Sequence, residues 1–125
     1  MPFIEIKALP PRPGVDVAKT LRNLCWELSK VMGVKPENIR AVWQSLEPGH
    51  YAEGDIAARE QPPATHPPIV HLTAFTGRAP ETISNAIHCI ADNLARDLKL
   101  DKGNVFVTYH ETPAGRLFVS GAVKK

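Results

Sequence analysis

Apolar positions along this chain fall into two alternating rhythms, short runs and three- and four-residue steps. Phe3 to Ala8 is a short apolar run that reads as a β-strand. Leu9-Pro10-Pro11-Arg12-Pro13-Gly14 cannot be helical, because its prolines restrict the backbone and remove donors, so it is a loop that displays Arg12. Asp16 offers an N-cap, and Val17, Leu21, Leu24, Leu28 and Met32 form the apolar stripe of a helix that Gly33 stops. After a turn containing Pro36, Ile39 to Ser45 reads as a second strand.

The next segment, Leu46 to Pro67, holds Gly49-His50-Tyr51-Ala52-Glu53-Gly54 and then a proline-rich tract; it reads as a turn or short hairpin followed by an extended connector. The rhythm then restarts. Ile69 to Phe75 is a strand, Thr76-Gly77-Arg78 a loop, and Pro80 suits the first turn of a helix with the stripe Ile83, Ile87, Ile90, Leu94 and Leu98. Lys102-Gly103 turns the chain into a fourth long strand, Val105 to His110, and Thr112-Pro113-Ala114-Gly115 turns it again into a last short strand, Leu117 to Val119.

The two halves superpose at one ungapped shift of 66 residues, the separation of Pro2 and Pro68. The shift carries Arg12 to Arg78, the first helical stripe onto the second, Asn38 to Asn104 and Gly49 to Gly115. The chain therefore reads as a tandem duplication of a β-α-β unit, residues 1–61 and 67–125, joined by the proline-rich connector into a single domain. The expected class is α+β: a four-stranded sheet with two right-handed crossover helices on one face. The other face is left needing cover, so an oligomer is expected.

Composition narrows the function without supplying it. A chain of 125 residues, 43% hydrophobic and 22% charged, suits one compact soluble domain. A net charge of +2, spread as single Lys and Arg residues, argues against nucleic-acid and membrane-surface partners. No run approaches the length of a membrane span, no basic region precedes an apolar core at the N-terminus, and a cytoplasmic location is expected. Cys25 and Cys89 read as buried thiols of a reducing compartment. The histidines, among them His50, His71, His88 and His110, lack metal-ligand spacing, so neither a metal nor an organic cofactor is expected.

The chemistry centres on Pro2. Without Met1 it would carry a secondary amine at the edge of a sheet, and a nearby guanidinium together with an apolar pocket would disfavour its protonated form, bringing it towards the range where general bases work. With Met1 retained, Pro2 has no basic nitrogen. Pro2, Arg12, Arg40 at the start of the second strand and Gly49-His50-Tyr51 together resemble the tautomerase superfamily, and 4-oxalocrotonate tautomerase in particular, with the pattern repeated at Pro68 and Gly77-Arg78. The resemblance spans nearly the whole chain.

That resemblance implies the tautomerase fold, a homotrimer with one working proline per chain, and a role in aromatic degradation. It implies a cofactor-independent keto-enol tautomerase acting on small unsaturated 2-hydroxy or 2-oxo carboxylic acids. Pro2 is then the general base, Arg78 clamps the substrate carboxylate, and Arg40, reaching in from a neighbouring unit, steadies the developing oxyanion. Tyr51 is expected as a wall near Pro2, and Arg12 is expected to face Pro68, whose nitrogen is an amide and inert as a base. Trp43 and Tyr109 correspond across the repeat and are expected in the core or an interface.

Two other functions remain open. Double-length relatives include malonate semialdehyde decarboxylase and cis-3-chloroacrylic acid dehalogenase, which use a protonated proline for decarboxylation or hydration. Against dehalogenation, this chain has Phe75, Thr108 and Val119 where that enzyme has an arginine, a tyrosine and an acidic residue. A non-enzymatic binding protein, like the cytokine-type branch of the superfamily, is the third reading.

Overall fold

A computed structural model describes residues 1–125. The elements are β1 (Phe3–Ala8), α1 (Val17–Met32), a single 3-10 turn (Pro36–Asn38), β2 (Arg40–Ser45), β3 (Tyr51–Glu53), β4 (Ile56–Ala58), β5 (Ile69–Phe75), α2 (Pro80–Asp97), β6 (Phe106–Thr112), β7 (Leu117–Val119) and β8 (Ala122–Lys124). Four long strands form one mixed sheet in the order β2-β1-β5-β6. Both helices cover one face, as the two stripes require.

Each half is a parallel strand pair closed by its helix. Phe3 pairs with Arg40 in the first half and Ile69 with Phe106 in the second, so the strand registers coincide under the same 66-residue shift. The halves join through antiparallel β1 and β5, where Glu5 lies opposite His71, its own copy. A local two-fold axis therefore passes between Glu5 and His71. The start of β1 adjoins the end of β5, and the start of β5 adjoins the end of β1, which gives the sheet two related ends.

Alternation along the strands sorts the two faces. Ile4, Ile6, Ala8, Val70, Leu72 and Ala74 point at the helices and are buried with Leu24, Leu28 and Met32 of α1 and Ala86, Ile90 and Leu94 of α2. Trp43 and Tyr109 pack against this cluster from the outer strands. Asp16 caps α1 by accepting a hydrogen bond from the Lys19 amide at 3.1 Å, a contact worth about 1 kcal/mol. Gly33, in the left-handed region at φ 68°, lets the chain leave the helix while its amide bonds Ser29.

The opposite sheet face has no layer over it. It carries Glu5, Lys7, Val42, His71, Phe106 and His110, with Val42 and Phe106 about half exposed. There the Thr108 hydroxyl bridges His71 Nδ1 at 2.6 Å and His110 Nε2 at 2.8 Å.

Three differences from the sequence expectations have physical causes. The expected hairpin after β2 is β3–β4, and an unexpected strand, β8, completes an identical hairpin with β7 at the 66-residue shift. The connector is not merely extended. Gln61 is buried and donates through Nε2 to the carbonyls of Pro62 and His66 at 2.9 Å, while Asn104 Nδ2 donates to those of Pro63 and Thr65 at 3.0 Å. The cysteines are half-buried rather than fully buried, and burial pushes both thiols above their ordinary range, which disfavours the reactive thiolate.

Candidate active site

The antiparallel pairing of β1 with β5 places the N-terminus where β2 begins and where β5 and β6 end. Pro2 is buried there, and its carbonyl accepts from the Arg40 amide at 3.1 Å. Beside it lies a cavity of about 350 Å³ lined by Met1, Phe3, Arg40, Thr73, Thr112 and the β6–β7 segment Arg116 to Val119. One wall is apolar, from Phe3, Leu117, Phe118 and Val119. No acidic residue lines the cavity.

Electrostatics at this end act on the terminal amine. Burial lowers the pKa of the Met1 ammonium below its ordinary value of 8.0, and the positive charges of Arg78 and then Arg40 lower it further. Arg78, half-buried in the loop after β5, makes one long bond to the Phe75 carbonyl at 3.5 Å. Neither Arg40 nor Arg78 forms an ion pair; the chain's three ion pairs are Lys30–Glu27, His50–Glu47 and Arg96–Asp97. Two cations without a carboxylate partner beside a partly buried amine favour an anion in the cavity.

Three sequence-predicted residues, Pro2, Arg40 and Arg78, thus come together at one end. The Arg40 that lines the cavity beside Met1 belongs to the same chain. Tyr51 does not join them. Its hydroxyl donates to the Pro67 carbonyl at 2.8 Å, and its ring meets His66 edge-on at 5.1 Å, at the far end of the sheet. Pro2 and Ala8 stand at opposite ends of β1, and six residues at about 3.3 Å each separate the ends by roughly 20 Å. The internal symmetry explains the correction: a hairpin emerging from β2 closes over the start of β5, and only its copy closes over the start of β1. The residue at the Pro2 cavity is Leu117, 66 positions after Tyr51.

Arg12 also lies at the far end, where its Nη1 donates to the Lys99 carbonyl at 2.8 Å. Pro68 is buried, and its carbonyl accepts from the Phe106 amide at 2.9 Å, repeating the Pro2–Arg40 contact. The residues that sequence reasoning missed, Arg116 and Leu117, are the copies of His50 and Tyr51. The shift that paired Arg12 with Arg78 contained them.

No protein-family model matches this sequence, and no curated protein does. Solved structures do match. One is a fused 4-OT wild type symmetric trimer, with a TM-score of 0.83 and 14% identity over 98% of this chain and 94% of the other. The fold is that of fused 4-OT. A structure of a protein inactivated by 2-oxo-3-pentynoate has a TM-score of 0.80 and 14% identity, over 98% of this chain and 94% of that one. A member of the cis-3-chloroacrylic acid dehalogenase family follows, with a TM-score of 0.74 and 19% identity, covering 98% and 83% of the two chains.

Proposed function

We propose that this protein is a tautomerase-superfamily isomerase whose Pro2 amine, exposed by loss of Met1, moves a proton along a small unsaturated 2-hydroxy or 2-oxo carboxylic acid. The observation that carries the reading is the convergence of Arg78 and Arg40 on the terminal amine, whose protonated form they and burial disfavour. A secondary amine in that position is neutral nearer pH 7 and ready to accept a proton.

The steps balance without a co-reactant. Neutral Pro2 takes the proton from the enol oxygen and becomes an ammonium. The remaining negative charge spreads through the conjugated chain as a dienolate, stabilised at its oxygen by Arg40 while Arg78 holds the carboxylate. The Pro2 ammonium then returns the proton to a carbon further along, giving the 2-oxo isomer and the free amine. Nothing in these steps calls on a metal or organic cofactor.

Decarboxylation or hydration fits the cavity less well. Both need a protonated proline, which this surrounding disfavours, and hydration needs a carboxylate to activate water, where the cavity presents Val119. A homotrimer follows from the same reading. A fused 4-OT of this fold is a symmetric trimer, and the uncovered sheet face with Val42 and Phe106, together with the exposed Phe118, offers apolar surface for it. No helix is long and apolar enough to cross a membrane.

The test pairs intact mass with turnover. The purified chain should lack one methionine, and Pro2→Ala should lower kcat/KM on 2-hydroxymuconate or phenylenolpyruvate by about a hundred-fold or more, the range of a lost general base. Near-normal turnover by that variant would refute the assignment. A retained Met1 would instead favour a binding protein of the same fold.

A further inference from the structure

Two of the chain's five histidines meet on the sheet face that carries no helices. They come from neighbouring parallel strands, His71 on β5 and His110 on β6, and lie 39 positions apart, so no local metal-ligand spacing announces them. His71 Nδ1 and His110 Nε2 stand 3.2 Å apart, and the two rings meet edge-on with centroids 5.2 Å apart. The Thr108 hydroxyl, 2.6 Å from one nitrogen and 2.8 Å from the other, keeps both turned toward one point. In the first half the copies of His71, Thr108 and His110 are Glu5, Val42 and Gln44, so the duplicated unit folds without this group.

We infer that His71 Nδ1 and His110 Nε2 form a chelating pair for a divalent transition-metal ion of the zinc, nickel and copper group. Two nitrogens bound at about 2.0–2.1 Å to one tetrahedral ion stand about 3.3–3.4 Å apart, so the observed separation already approaches a ligand edge. Imidazole suits these ions, whereas Mg²⁺ and Ca²⁺ take oxygen ligands. Glu5, directly opposite His71, lines the same hollow and adds negative charge. No third His, Cys, Asp or Glu gathers with the pair, so water completes the shell. The Thr108 hydroxyl has one proton to donate, so it donates to one nitrogen and accepts from the other. Binding requires that second imidazole to move its proton to its other ring nitrogen, after which both lone pairs face the ion and no net proton is released. The hollow shares only Thr73 with the cavity beside Met1, so the pair lies outside the proposed isomerase site and stands or falls independently of it.

Calorimetric titration of the metal-stripped protein with ZnCl₂, and with MgCl₂ as the contrast, tests this. One Zn²⁺ per chain should bind, and Mg²⁺ should give no signal. His71→Gln and His110→Gln keep a polar side chain but remove the imidazole; each should weaken Zn²⁺ at least about ten-fold, and the double variant little further, because one imidazole cannot chelate. His50→Gln and His88→Gln, at exposed histidines elsewhere, should stay within about two-fold. A measurement on the wild type needs no variant to fold: substoichiometric paramagnetic Ni²⁺ should broaden the imidazole NMR signals of His71 and His110 and leave those of His50 and His88 sharp. Absence of Zn²⁺ binding at up to about 1 mM overturns the inference. So does affinity that survives in either single variant, an equal loss in His50→Gln or His88→Gln, or broadening that spares His71 or His110.

Discussion

The two ends of the sheet are built from the same unit and have diverged in opposite directions. At the Pro2 end the chain begins, the cavity is open, and Arg40, Arg78 and Arg116 stand without acidic partners. At the Pro68 end the connector runs straight into the strand and the space is taken by the chain itself. Tyr51 donates to the Pro67 carbonyl, His66 Nε2 lies 2.8 Å from the Ile56 carbonyl, and the His66 amide donates to Glu53 at 2.9 Å. One end has kept charge and space, and the other has used its copy of the site as a fastening. On the proposed reading only the Pro2 end carries the chemistry, while the Pro68 end repeats its backbone contact alone.

The sharpest way to break this comparison is to exchange the treatment of the prolines. Pro68→Ala should keep kcat/KM within about two-fold of wild type, against the hundred-fold or larger loss expected for Pro2→Ala, because an amide nitrogen supplies no base. Steady-state turnover of both variants on one substrate suffices. Equal losses would mean that the second end takes part in the chemistry and that the asymmetry has been misread.

The arginines come next in size. Arg78→Ala should lower kcat/KM about ten- to hundred-fold through lost carboxylate binding, whereas Arg12→Ala, its copy, should leave activity within about two-fold. The pH profile separates a clamp from a remote structural effect. On the proposed reading the Pro2 amine works in its neutral form, so kcat/KM should rise with pH through its pKa. Burial first, and then the charges of Arg78 and Arg40, lower the pKa of the Met1 amine at this end, and the same surroundings would act in the same direction on Pro2. Removing Arg78 or Arg40 should therefore move the rising limb to higher pH, and removing Arg12 should leave it in place. A limb that stays fixed in Arg78→Ala would mean the guanidinium does not reach the amine.

Much of this architecture was legible because it depends on local rules. The helical stripes, the proline that opens α2 and the apolar runs of β1 and β5 each specify an element, and the 66-residue shift specifies how the elements repeat. The meeting of Arg78 with the N-terminus was expected from the family resemblance rather than from any local rule. What could not be read locally was which end each hairpin covers. Within one repeat unit the parallel pairing of β1 with β2 already leaves Tyr51 at the opposite end from Pro2, and the antiparallel junction of β1 with β5 sets it beside Pro67 and brings Leu117 to the Pro2 cavity. Strand β8 escaped notice because Ala122-Val123-Lys124 is too short for a periodic signal, although its copy Ile56–Ala58 lay in the expected hairpin. The arrest of Arg12 by Lys99 depends on a contact 87 residues away in sequence, beyond any spacing rule.

The smallest effect expected is also the one that assigns Tyr51. If its hydroxyl serves as a fastening at the closed end, Tyr51→Phe removes one hydrogen bond and leaves the Pro67 carbonyl without that donor, which costs about 0.5–1.5 kcal/mol. Chemical denaturation at matched protein concentration should resolve that loss, the matching being needed because assembly contributes to apparent stability. Turnover should stay within about two-fold, since the ring and its edge-on contact with His66 remain and the hydroxyl lies roughly 20 Å from the amine. The reverse outcome, unchanged stability with a marked fall in kcat/KM, would place Tyr51 at a working site after all. Because Tyr51 lies at the far end of its own chain, the hydroxyl would then have to reach the Pro2 cavity of another protomer.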